Sequence, residues 1–210
     1  MIELRAYLHI RDLQPQLAAY LGTPLRARAY PPLEGEDSLI VEVSPALAIH
    51  RVVDLALKAA PELEPGLLYT ERQFGLLELH SSDRAMLDVA GSAILKGIGA
   101  KADDQMAPTT LMTDIIESIS DQHAIILNRM RAASMILPGQ SLLLHEMAPA
   151  LFSTVAVNEA EKVAPNATLV HVQMIGASGR VFMSGDKNEL VAAQRKIEET
   201  LQSVVGRKRR

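Results

Sequence analysis

No cysteine occurs anywhere in this sequence, and no tryptophan. The missing cysteine excludes disulfides, thiolate chemistry and a cysteine-type zinc site, and it is compatible with a reducing cytosol. Aromatic residues make up 3% of the chain, so its cores must be built from Leu, Ile, Val, Ala and Met. So few rings do not suit stacking on nucleobases, the means by which single-strand binders hold their ligand. No apolar run reaches the roughly 18 residues of a membrane span, and the charged, periodic start MIELRAYLHIRD lacks the pattern of a signal peptide. A Gly-rich phosphate loop is absent. His9, His50, His80, His123, His145 and His171 show neither HxH nor HExxH spacing, so no metal is expected. Ser141, Ser178 and Ser184 lie outside any G-x-S-x-G elbow.

Hydrophobic residues make up 48% of 210 residues, which is enough for one large domain or two of about 100 residues each. Net charge is −4. Residues 1–105 carry 10 basic and 15 acidic groups, and residues 106–210 carry 11 and 10. Four of those basic groups are Arg207, Lys208, Arg209 and Arg210. Without that tail both halves are acidic, which argues against a general nucleic-acid role. A short basic terminus of this kind reads as a solvated tail.

The chain repeats itself. The stretch from Ser38 to Gly75 (SLIVEVSPALAIH, VVDLALKAAP, ERQFG) returns from Ser141 to Gly179 as SLLLHEMAPALFS, AVNEAEKVAP and IGASG. Pro45, Lys58, Pro61 and Gly75 match Pro149, Lys162, Pro165 and Gly179, each at a spacing of 104. This indicates a tandem duplication, with domains at 1–105 and 106–205 and a basic tail at 206–210.

Within each copy the periodicities predict strand, helix, strand, helix, strand, strand, helix. Leu4, Ala6, Leu8 and Ile10 alternate on one side of a first strand. Asp12 is placed to cap the following helix, with Pro15 in its first turn. Ser38–Val43 is a strand, with Ser44 as N-cap and Pro45 at the first position of the next helix. Leu67–Thr70 and Leu76–His80 are strands close enough to pair antiparallel. Ser82 or Asp83 caps a closing helix, and residues 97–106 form a linker. The last helix runs from about Asn188 to Val205. The class is α+β, with helices on one side of a mainly antiparallel sheet.

Several segments carry a family resemblance: DLQPQLAAYLGT, the ERxxG segment, Leu127-Asn128-Arg129, MILPGQ, NEAEK, the GASG loop and the turn at Ser184-Gly185-Asp186. In order they resemble the circularly permuted bacterial microcompartment shell domain. Two permuted copies in one chain resemble the tandem-domain shell proteins of carboxysomes, of the double-stacking trimer type. The resemblance implies a structural protein with no enzyme activity and no cofactor. Three chains form a pseudo-hexagonal tile with a pore on its three-fold axis, and two tiles stack around a chamber. Tiles join other shell proteins, hexamers and pentamers, in the wall between an enzyme-filled lumen and the cytosol. Small metabolites pass through the pore.

By the same resemblance, the loop carrying Glu71 and Arg72 faces that pore. A three-fold axis gathers three carboxylates and three guanidiniums there. An unlike pair about 4 Å apart attracts by about 4 kcal/mol at an effective dielectric of about 20, and a like pair repels by as much. A shut and an open arrangement separated by a few kcal/mol make a gate. Read without the resemblance, Glu71 and Arg72 are an ordinary exposed pair worth little. The second copy carries Ile175, Gly176, Ala177, Ser178 and Gly179 in the matching loop. Lys58 and Lys162 end the Pro-started helices, where a cation is favoured in any case; the resemblance adds a contact at the tile edge. Two other readings stand beside the shell tile: a small-molecule-binding regulatory α+β oligomer, and a trimeric enzyme with a site between domains. The first needs a closed pocket. The second needs an aligned acid–base pair, and Arg72 would keep Glu71 ionised and a poor proton donor.

Overall fold

The computed structural model describes residues 2–23 and 30–208, with the Glu71 side chain outside the described set. Arg209 and Arg210 of the basic tail also lie outside it. The chain forms two compact units, 1–107 with 205–210, and 108–204. The first contains β1 (Glu3–Ile10), α1 (Pro15–Leu21), β2 (Asp37–Ser44), α2 (Ile49–Ala59), β3 (Glu64–Glu71), β4 (Phe74–Ser81) and α3 (Arg84–Ile98). The second contains β5 (Thr109–Ile116), α4 (Asp121–Met130), β6 (Ser141–Ala148), α5 (Phe152–Val163), β7 (Thr168–Gln173), β8 (Gly179–Gly185) and α6 (Lys187–Ser203). Each unit is one four-stranded antiparallel sheet, in the order β1-β2-β4-β3 or β5-β6-β8-β7. The class is the α+β of the expectation.

Alternation decides the faces. Leu39, Val41 and Val43 of β2 and Leu77 and Leu79 of β4 join Ile49, Val52 and Ala56 of α2 and Leu87, Ala90 and Ile94 of α3 in one core. The residues between them on the strands, Ser38, Ile40, Glu42, Leu76, Glu78 and His80, point to the other face. A register shift in β1 between Leu4 and Ala6 alters the expected alternation. It carries Leu4 into the α2–α3 core, beside Tyr7, while Ala6, Leu8 and Ile10 face away. One extra residue is enough for that reversal.

The single helical face of the expectation fails for α4. This helix buries Ala124 and Leu127 against Leu142, Leu144, Val170 and Phe182. The opposite face of the same sheet carries His145 and Thr113, and α6 reaches it through a 2.9 Å hydrogen bond from Gln194 Nε2 to Thr113 Oγ1. The short helix and the long closing helix therefore lie on opposite sides.

Several local expectations are corrected. Ser44 is not an N-cap: it ends β2, the Ser44–Pro45 bond is cis, and a 3-10 turn at Ala46–Ala48 precedes α2. The second unit does the same at Ala148–Pro149. Asp12 does not cap α1, whose N-cap is Gln14. Asp12 stands at φ +56°, and its N–H donates to Asp37 Oδ1 at 2.9 Å. Asp83 does cap α3, accepting from the Ala85 N–H at 2.9 Å. That helix runs on to Ile98 and ends at Gly99, whose φ of +69° is the left-handed stop that glycine adopts without strain.

The tail is not simply solvated. Val205–Lys208 return to the first unit, where Arg207 bridges Met106 in parallel. Arg207 Nε donates to Asp104 O at 2.9 Å, and Nη2 donates to Leu4 O at 3.1 Å and to the Glu3 carboxylate.

Candidate functional site

Within each unit, two of the matched positions come together: the glycine and the turn that follows the proline. In the first unit Gly75, the second residue of β4, lies against the turn that follows Pro45. A Cβ added to Gly75 would lie 2.2 Å from Ala46 O and 2.5 Å from Ile49 Cβ. In the second unit a Cβ on Gly179 would lie 2.2 Å from Ala150 O. Each glycine permits a backbone approach that no side chain allows, and it seats the hairpin tip beside it.

The two tips then diverge. In the first unit Glu71 pairs with Phe74, leaving a two-residue turn of Arg72 and Gln73. Glu71 is thus the last residue of β3 rather than a loop residue. Arg72 is exposed, at φ +47°. A residue with a Cβ costs about 1–2 kcal/mol in that conformation. In the second unit Gln173 pairs with Arg180, so five residues, Met174–Ser178, bridge β7 and β8. Ile175 and Gly176 are half-buried, Ala177 is exposed, and Gly179 already belongs to β8.

Each tip rests on a carboxylate held by an arginine. Arg5 Nε donates to Glu42 at 2.9 Å, and its guanidinium lies 3.6 Å from the centroid of the Phe74 ring. Burial raises the Glu42 pKa, against the opposing charge and hydrogen bond of Arg5. In the second unit Glu146 Oε1 accepts from Ser178 Oγ at 2.6 Å and from Arg180 Nε at 3.0 Å. Those two hydrogen bonds, Ser178 first, lower the Glu146 pKa. Arg180 Nη1 also donates to Gln173 Oε1 at 3.3 Å, which ties both ends of the loop.

Lys58 and Lys162 stand in the last turns of α2 and α5. Lys58 Nζ donates to Asp54 at 2.8 Å and Lys162 Nζ to Glu159 at 2.7 Å. Away from the tips, Glu78 Oε1 accepts from Ser38 at 2.6 Å, and Glu78 Oε2 stands 3.2 Å from His80 Nδ1. Both residues are buried. Burial pushes the His80 pKa down, but the Glu78 hydrogen bond and the charges of Glu78, Glu36 and Glu64 outweigh it, so the net shift is upward. Among the described residues no group of three or more His, Asp or Glu side chains could hold a metal ion, and no helix is long and apolar enough to cross a membrane.

Comparison with known proteins gives the same fold and arrangement. The sequence profile of the CsoS1D N-terminal domain matches residues 4–104. The carboxysome shell protein CcmP of Synechococcus elongatus is 36% identical over 206 residues, covering 98% of this chain and 95% of that protein. The carboxysome shell protein CsoS1D of Hydrogenovibrio crunogenus is 38% identical over 208 residues, covering 99% and 100%. This chain belongs to the CsoS1D and CcmP family of tandem-domain microcompartment shell proteins. As a member it is a structural shell protein, not an enzyme. Among solved structures, the double ringed trimeric shell protein MSM0271 of the RMM microcompartment is 56% identical over 100% of both chains, with a TM-score of 0.96. The fused permuted shell protein MSM0275 of the same compartment is 40% identical, with a TM-score of 0.90 over 96% of this chain and 99% of that one.

Sequence reading of this family member missed Arg5, Glu42, Glu146 and Arg180. A signal for two of them was present: Glu42 and Glu146 also stand 104 residues apart. Their arginines come from strands that do not correspond, β1 and β8, so no spacing rule reveals them.

Proposed function

We propose that three copies of this chain close into a pseudo-hexagonal tile of a microcompartment shell, with a gated pore on the three-fold axis. The β3–β4 tips of the three copies line that pore, with Glu71 and Arg72 forming the gate. The observation that carries the reading is the contrast between the two tips. The first is a tight turn presenting an exposed arginine at strained φ, and the second is a longer loop of uncharged residues, Ile175 to Ser178. Around a three-fold axis only the first set brings like and unlike charges close enough to favour alternative arrangements. The second set, its ends tied through Gln173, Arg180, Glu146 and Ser178, gives a fixed uncharged lining. Small metabolites pass when the gate is open. Lys58 and Lys162 lie at the tile edge, against neighbouring tiles and other shell proteins, hexamers and pentamers.

The test is single-particle imaging of the purified protein and of Arg72→Ala. Trimers with shut and open pores are expected for the unaltered protein, and open pores alone for the variant. A lone chain, or a variant still divided between both states, overturns the reading. Charge reversal at Lys58 and Lys162 should abolish sheets of tiles and leave trimers intact.

A further inference from the structure

In the second unit α4 packs on one end of its face of the sheet, over Leu142, Leu144, Val170 and Phe182. Toward the hairpin tip the same face continues with Met112, Glu146 and Arg180. Met112 and Arg180 are the cross-strand partners of Glu146, as Phe182 is of Leu144, so these side chains stand side by side. Met112, Leu144, Phe182, Glu146 and Arg180 line a cleft of about 140 Å3 there. An apolar floor with a few convergent polar groups is the make-up of a small-molecule site.

The ion pair in this cleft keeps bonding capacity in reserve. Arg180 donates from Nε to Glu146 Oε1 and from Nη1 to Gln173 Oε1, and Glu146 Oε1 also accepts from Ser178. Among the described residues, Arg180 Nη2 and Glu146 Oε2 have no hydrogen-bond partner. The existing bonds hold both side chains, so one donor and one acceptor are left on neighbouring residues at the cleft. A site ordered in advance loses little entropy when it is filled.

The duplication shows that the fold does not require this arrangement. In the first unit Glu42 pairs across strands with Ala6 and Leu76, as Glu146 pairs with Met112 and Arg180. Glu42 takes its arginine, Arg5, from β1 instead. A leucine thus stands where the second unit carries the guanidinium with a nitrogen to spare.

We infer that this cleft binds a small hydroxycarboxylate, with its carboxylate on Arg180 Nη2, its hydroxyl on Glu146 Oε2 and its carbons against Met112, Leu144 and Phe182. Size and charge choose the class. At roughly 30 Å3 per water molecule the cleft has room for about four or five waters, or one molecule of about three or four carbons. Arg180 supplies one positive charge, and Glu146 beside it repels a second negative one, so a monoanion fits and a phosphate ester does not. A hydroxyl gives up less hydration than an ammonium on reaching Glu146, whose Oε1 already serves two donors. Both charged side chains are part-exposed, which keeps the affinity on the order of millimolar. A solute in transit needs a station that it can leave. The cleft adjoins the second tip, so its use as a station rests on the pore proposed above; the binding itself does not.

The test is methyl NMR of the full chain, labelled at methionine and leucine, titrated with lactate, with propanoate, which lacks the hydroxyl, and with sodium chloride at equal ionic strength. Lactate is expected to shift the Met112 and Leu144 methyl signals, propanoate to bind about threefold more weakly or worse, and chloride to shift neither. Arg180→Gln should weaken lactate about tenfold or more. Arg180 also ties the tip through Gln173, so Met112→Asp is the second variant: it leaves the ion pair in place, sets a negative charge beside the bound carboxylate and should weaken lactate as well, read from Leu144. No shift with tens of millimolar lactate overturns the inference, and so does a shift matched by chloride or an affinity unchanged in both variants. Equal affinity for lactate and propanoate overturns the part given to Glu146. Binding by a protein whose images show no pore supports the site and removes only its place on a path. A gated pore with no binding overturns the site and leaves the tile standing.

Discussion

Glu42 and Arg5 are paired at 2.9 Å from different strands, with Arg5 laid over Phe74 at the base of the β3–β4 tip. The carboxylate is almost fully buried. Removing one partner leaves a buried charge, which costs about 3–5 kcal/mol. Arg5→Met should therefore destabilise the first unit by about that much in urea unfolding. Arg5→Met/Glu42→Gln should recover most of the loss, because the uncompensated charge is gone. Equal loss in the single and double variants would show that Arg5 acts through its packing on Phe74.

Gly75→Ala should be costly despite adding a single methyl group, because Ala46 O and Ile49 Cβ already occupy the space it needs. Overpacking typically costs about 1–3 kcal/mol, and a backbone oxygen yields less readily than a side chain. Gly179→Ala should behave alike against Ala150 O. Melting temperatures of the two variants check this, and a neutral result at either position rules out the close approach there.

Acid should weaken the second unit through His145. Burial pushes its pKa down to about 4, and its two ring nitrogens lie 3.2 and 3.1 Å from the hydroxyls of Thr110 and Thr113. Between about pH 6.5 and 4 the unfolded chain takes up a proton that the folded unit excludes, so stability falls as pH falls, by about 3 kcal/mol in all. His80 has the opposite sign: its raised pKa contributes stability that is fully present below about pH 6.5 and lost as pH rises through the folded value. Hydrogen exchange resolved by peptide should show acid loosening β5 and β6, and His145→Gln should flatten that response.

Arg207→Ala should loosen the start of β1 and the linker without changing the second unit. It removes an exposed ion pair with Glu3 and bonds to two backbone oxygens. Bonds from a charged donor contribute about 1.5–3 kcal/mol when well shielded, and the partial exposure of this side chain puts the loss nearer 1 kcal/mol. Faster amide exchange around residues 3–7 and 104–107 is the expected readout.

Much of this architecture was legible in residue order. Element order followed from apolar periodicity, and the duplication from Pro45, Lys58, Pro61 and Gly75 with their partners. What escaped depended on contacts distant in sequence. Ser44-Pro45 has the letters of a helix start, but Pro45 precedes a 3-10 turn at Ala46–Ala48 and α2 begins only at Ile49. The β1 bulge reverses Leu4 without any mark in the alternation. The hairpin residues of the candidate gate were legible as a tip, while Arg5 and Arg180, which brace the two tips, come from strands whose positions only pairing reveals. The tail looked like solvated charge because Arg207 finds its partners about 200 residues upstream.

That last contact gives folding a direction in time. On the ribosome the first unit emerges long before residue 207, so its β1 edge and linker wait unfinished while the whole second copy is made. A chain cut short anywhere in that interval keeps its first sheet but not the seal on it, and so differs in surface from a finished one before any ring is assembled.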